Sequence, residues 1–255
     1  MLDSYLTRFR AAVDALAAEP AVKIVRFSPG APCAAKQIAA WEKARGLRLD
    51  PALRAFYQQC DGLMLRWIRE DDEDQRAALA RTPAAGMSWD YLIGDYSQDQ
   101  GRALIRPLEE LTPEGFWSEG EDPDDDQDET EIDGYSIITA DLRRRALSFD
   151  LFSYSTFAVL LPRPDKPWIV LHGSDHGVCF DDDPPLDVET YLELVLACVG
   201  HLRARYATLR GHRAPHLPQG SLVHAPASYW ATHPFSKARL LGNGGESDEE
   251  EDEDS

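Results

Sequence analysis

The chain has 255 residues, 43% of them hydrophobic, and a formal net charge of -19. That is enough apolar material for one large domain or two small ones. The acid excess argues against nucleic acid as the main partner, because phosphate is repelled and no basic patch stands out in the sequence.

In chain order, the first predicted helix covers Asp3 to Ala18, with Leu2, Tyr5, Leu6, Phe9, Val13 and Leu16 on one face. "AVKIVRF", Ala21 to Phe27, reads as a strand, and Pro29, Gly30 and Pro32 as a loop. A second helix is expected over Ala34 to Arg45, with Ile38 and Trp41 inward and Gly46 as its stop. Asp50 then caps a third helix with Pro51 at its first position. Leu53, Phe56, Tyr57 and Cys60 recur at i, i+3, i+4 and i+7 as one buried stripe, and Asp61-Gly62 ends it in a turn that tolerates left-handed backbone.

From "LMLRWI", Leu63 to Ile68, the chain becomes rich in strands. Further candidates are Ser88–Ile93, Ala103–Leu108, Tyr135–Thr139, Leu147–Phe152, Phe157–Pro162, Trp168–His172 and Gly177–Phe180. The Gly, Pro and Asp clusters between them favour antiparallel connections. A long last helix begins near Asp187, with a stripe of Tyr191, Leu194, Val195, Cys198, Val199, Leu202 and Tyr206. The order predicts an α+β fold, a mostly antiparallel sheet packed with N-terminal helices and a C-terminal helix. The expected organisation is a domain over 1–210 carrying an acidic loop at 119–133. A Pro/His-rich extension, 211–242, is expected to pack on the body, and an acidic tail, 243–255, to be disordered.

Charge is concentrated. Residues 119–133 carry ten carboxylates and no basic side chain, and Glu246–Ser255 carries eight more. The remainder holds 27 acidic and 26 basic residues, so the body is near neutral. Runs of one sign are most often solvated and unstructured; they also attract a basic protein partner.

Four cysteines, Cys33, Cys60, Cys179 and Cys198, are spread without a C-x-x-C pair, as expected of small buried hydrophobes in a reducing compartment. Asp3, Arg8, Arg10 and Asp14 interrupt any leader-like apolar run, and no run approaches the roughly 18 residues of a membrane span. A cytoplasmic protein without membrane contact is the expectation.

Motifs for chemistry are sparse. Asp122, Asp124 and Asp126 have the spacing of a calcium loop, but Gln127 stands where its glycine belongs and Asp133 where its long glutamate belongs. "HGSDH", His172 to His176, gives two histidines and Asp175 without a further ligand, so a turn is the simpler reading. Ser148 and Asp150 are expected on one strand face with no evident base. No nucleophile elbow, phosphate loop or dinucleotide fingerprint occurs. No catalytic, cofactor or metal residue is assigned.

One stretch carries a resemblance. "IAAWEKARGLRLDPALRAFYQQCDGLML" resembles the SUKH superfamily, which includes fungal cell-wall-synthesis regulators and bacterial toxin-immunity proteins. The matching positions include Ile38, Trp41, Glu42, Gly46, Leu47, Leu49, Pro51, Leu53, Arg54, Phe56, Tyr57, Asp61 and Gly62. Asp50 intervenes before Pro51 where the family has Leu-Pro, and Leu63 stands where a second glycine is common. The resemblance implies a non-enzymatic binding module, most simply an immunity protein that neutralises a cognate toxin. The alternative is a regulatory or scaffold protein with an endogenous partner, and an enzyme of unrecognised type ranks third. The motif residues themselves look structural. Candidate contacts for a basic toxin domain are Glu70, Asp71, Asp72, Glu73 and Asp74, and Asp124, Asp125 and Asp126 in the acidic loop.

Overall fold

Ser4 opens the first helix, α1 (Tyr5–Ala17), its side chain accepting from the Thr7 amide. The computed structural model that shows this describes residues 4–73, 76–77, 100–113, 129–132, 134–152, 156–164, 166–174, 177–178 and 185–200. Tyr5, Phe9, Val13 and Leu16 are buried along α1, the face that the periodicity predicts. Strand β1 (Val22–Pro29) leads to α2 (Ala35–Arg45), whose first turn is tied by Gln37 Oε1 accepting from the Ala34 amide at 2.7 Å. Gly46 ends α2 at φ +63°, the left-handed stop expected of it. Asp50 caps α3 (Pro51–Tyr57), accepting from the Ala52 amide at 2.8 Å, and Pro51 occupies the position where its missing N–H costs nothing.

Then follow β2 (Leu63–Arg69), β3 (Gly101–Ile105) and a 3-10 turn at Leu108–Glu110. A hairpin, β4 (Glu129–Ile132) and β5 (Tyr135–Ile138), runs into α4 (Thr139–Arg145). Strands β6 (Leu147–Asp150), β7 (Thr156–Leu161), β8 (Ile169–Ser174), β9 (Gly177–Val178) and β10 (Leu186–Asp187) precede the closing helix α5 (Val188–Ala197). Asp187 caps α5, accepting from the Thr190 amide at 2.7 Å.

The main sheet has the order β1-β2-β3-β6-β7-β8-β10, with β9 beside β8, and every pairing among the described residues is antiparallel. This is the α+β architecture expected from the sequence. One face carries α1, α2, α3 and α5; their buried side chains form a single core with Leu65, Trp67, Ala103, Ile105, Leu160 and Val170. The opposite face carries a smaller core, in which Ile132, Ile137 and Leu142 meet Phe157, Val159, Leu161, Ile169 and Leu171. Strand alternation sends one residue set to each core.

The differences from the predicted elements have local causes. Helix α3 ends at Tyr57, although Cys60 keeps helical contact through its amide to the Phe56 carbonyl. Strand β3 stops at Ile105, before Pro107, which has no N–H to give a ladder. Glu129–Ile132, placed in the acidic loop by charge, is strand β4, because Ile132 reaches the second core. Helix α4 was invisible to periodicity because its seven residues bury only Leu142. Helix α5 is shorter than its predicted stripe: Val199 at φ +46° and Gly200 at φ +70° turn the chain out of it. Ser88–Ile93, Cys179 to Phe180, Leu202, Tyr206, the extension 211–242 and the tail 243–255 lie outside the described residues.

Candidate functional site

The motif that carries the family resemblance folds into a brace. Glu42 on α2 accepts the Leu49 amide at 2.9 Å and pairs with Arg54 on α3, closing the α2–α3 corner. Trp41, Phe56 and Tyr57 are buried, and Arg45 lies over the Trp41 ring at 4.7 Å. The Tyr57 hydroxyl donates to the Arg106 carbonyl at 2.9 Å, and Asp61 accepts the Leu108 amide at 2.7 Å. Gly62 sits at φ +81°, where a Cβ would lie 2.8 Å from the Ile105 carbonyl oxygen. Tyr57, Asp61 and Gly62 thus join the helices to β3 or to its following turn.

Cys33 and Cys60 lie beside this brace. Burial pushes both thiols up to about 12, with Asp61 adding to the effect. A neutral thiol is a poor nucleophile.

The acidic turn stands apart, at the far end of β2. Glu70, Asp71 and Glu73 are exposed and Asp72 is half-buried. The Glu70 amide donates to the Ala21 carbonyl at 2.8 Å, pinning the turn to the approach to edge strand β1. Two basic side chains partly offset the turn: Lys23 lies 3.7 Å from Glu70, and Arg69 donates to Asp71 at 2.8 Å. That bond holds the Asp71 carboxyl below the usual carboxylate range. Asp74, Asp124, Asp125 and Asp126 lie outside the described residues. The structure therefore brings four of the eight predicted contact residues together.

Sequence reading missed a cationic cleft of about 690 Å³, set between the α2–α3 corner and the β7–β8 connection. Arg48, Arg145, Arg163 and Lys166 line it, with Asp50 as its carboxylate and Trp168 in the wall. Arg145 donates to the Tyr135 hydroxyl at 2.7 Å and to the Pro162 carbonyl at 2.6 Å. Its guanidinium and that of Arg163 approach the Tyr135 ring to 5.8 and 5.7 Å. No short segment advertised this cleft, because its four cations come from three separated stretches.

The sheet holds further buried polar groups. Arg66 and Arg102 face each other across β2 and β3, each 1% exposed, and Arg102 donates to Gln100 at 3.1 Å. An arginine between Met64 and Ile68 in an apolar strand was the available signal. Asp150 accepts the Leu104 amide at 2.8 Å and the Tyr191 hydroxyl at 2.9 Å. The expectation that Ser148 and Asp150 share a strand face is corrected: the register shifts between them, so Ser148 opposes Val159 and Asp150 opposes Ala158. An irregularity of this kind reverses the alternation, and the residues opposite them, Val159 and Ala158, belong to different cores.

Among the described residues, no group of three His, Cys, Asp or Glu side chains is placed to hold a metal ion, and no helix is long and apolar enough to cross a membrane. The class defined by the architecture is an α+β domain with helices on one sheet face and a hairpin-helix unit on the other. No protein-family model, curated protein or solved structure matches the chain.

Proposed function

We propose that this chain is a cytoplasmic, non-enzymatic protein-binding module of the SUKH immunity type, which binds a basic toxin domain and occludes its active site. The observation that carries the reading is the exposed turn Glu70–Glu73, held by a backbone bond at the free side of the sheet. Acidic side chains on a fixed platform, with Lys23 beside Glu70 and Arg69 beside Asp71, present a surface complementary to a basic partner. The bracing roles of Glu42, Asp61 and Tyr57 support the same reading, since they leave the motif as scaffold and the contact surface elsewhere. Asp74 and Asp124 to Asp126 extend the proposed surface in sequence.

The test is co-expression with a secreted toxin whose gene lies beside that of this chain, and a gene neighbourhood without one counts against the reading. Survival with this protein and death without it support the reading; equal killing in both cells ends it. In the same assay, the triple variant Glu70→Lys, Asp72→Lys, Glu73→Lys is expected to lose protection while remaining folded.

A further inference from the structure

The cleft at the α2–α3 corner has no role in the proposed toxin contact, and its charge is opposite to that of the acidic turn. Among the described lining residues the one carboxylate is Asp50, whose Oδ1 is already engaged in capping α3. Among the described residues, no carboxylate forms an ion pair with Arg48, Arg145 or Lys166. Arg145 is fixed by two hydrogen bonds, and its guanidinium and that of Arg163 converge on one Tyr135 ring. Arg48 and Lys166 are exposed at the rim. Holding like charges together in a concave, half-enclosed site is unfavourable unless an anion is shared between them.

The chain carries a matching anion. Glu246–Ser255 has eight carboxylates in ten residues and no basic side chain. Forty-five residues, 201–245, join it to Gly200, the last described position. Fully extended at about 3.3 Å per residue they span roughly 150 Å. A domain of this size has a radius of gyration of only about 16 Å, so the segment reaches the cleft from any exit point. Tethering raises its effective concentration to the order of millimolar, enough for a modest intrinsic affinity to fill the site.

We infer that the cleft lined by Arg48, Arg145, Arg163 and Lys166 is the docking site for the chain's own acidic segment, Glu246–Ser255. Carboxylates of the segment engage the rim cations and the fixed Arg145 in turn, while Leu47, Leu49, Pro51 and Trp168 form the floor and walls. Occupation covers the cations of the cleft and leaves the acidic turn uncovered. The inference is independent of which partner the acidic turn binds.

The test uses the full-length chain and a fluorescein-labelled peptide with the sequence of residues 246–255, read by anisotropy at low salt. In the receiving chain all eight carboxylates of the segment are replaced by their amides. This chain is expected to bind the peptide, and the native chain to bind it at least about tenfold more weakly, because its own segment competes. Adding Arg48→Glu and Lys166→Glu, both at exposed positions, to the amide chain is expected to weaken binding by a further tenfold or more, and raising the salt to do the same. Four results would overturn the inference. They are no binding to the amide chain, equal binding to both chains, indifference to the rim substitutions, and tighter binding of a single-stranded oligonucleotide of equal charge.

Discussion

At the scale of single residues, Glu42 decides how the first helices meet. One oxygen serves both the Leu49 amide and Arg54, and the Leu49 residue around that amide is buried. Glu42→Ala leaves the amide without its partner and is expected to cost about 1–3 kcal/mol. Glu42→Gln keeps an acceptor and should cost less than half as much; urea midpoints of the two variants measure the split. Cys60 supplies a pH signature. Its thiol is pushed up to about 12 from an ordinary 9.0 by burial. The folded chain therefore keeps a proton that the unfolded chain releases above about pH 9. The contribution is fully present below pH 9 and is lost as pH rises toward 12, at about 1.4 kcal/mol per pH unit. Stability curves of the native chain and Cys60→Ala should run parallel below pH 9 and converge or cross above it. Thiol reagents at neutral pH should leave Cys60 unmodified until the chain unfolds.

Secondary-structure elements meet through close approaches that only glycine permits. The Trp67 indole on β2 lies against Gly101 on β3 and donates to the Val199 carbonyl at 2.8 Å, past the end of α5. A Cβ at Gly101 would sit 1.8 Å from Trp67 Nε1. Gly101→Ala must displace the indole and break that bond, at an expected cost of about 2–4 kcal/mol. Val199, a β-branched residue at φ +46°, is held in its strained conformation by the same contact. Trp67→Phe removes the donor and keeps a ring, so its main effect should be faster amide exchange through α5, measurable by hydrogen exchange. Helix limits at Gly46 and Asp50, and the buried faces of α1 and α3, were legible because caps and 3.6-residue periodicity are local signals. Helix α4 and strand β4 were not, because each is set by what it packs against.

Across the whole molecule, charge separates into regions of opposite sign. The acidic turn at the end of β2 and the cationic cleft at the α2–α3 corner are distinct sites, while the sequence outside its two acidic runs is nearly neutral. If the turn steers a basic partner, the association rate should fall steeply between about 20 and 200 mM salt while dissociation changes little. Reversing Glu70, Asp72 and Glu73 should remove most of that salt dependence. An association rate indifferent to salt in the native chain would count against steering. The charged sites were only half legible. Glu70 to Glu73 form one patch because they are adjacent in sequence, whereas no sequence pattern could pair Arg48 with Arg145 and Lys166.

The sequence by itself determined the fold class, the buried stripes and the helix caps. Each depends on residues within a turn or two of one another, where periodicity and backbone chemistry are sufficient. Tertiary structure alone decided the strand order, the division into two cores, the reversal between Ser148 and Asp150, and the convergence of cations in the cleft. Those features join residues tens of positions apart or hang on a single register shift, and such relations leave no periodic trace along the chain.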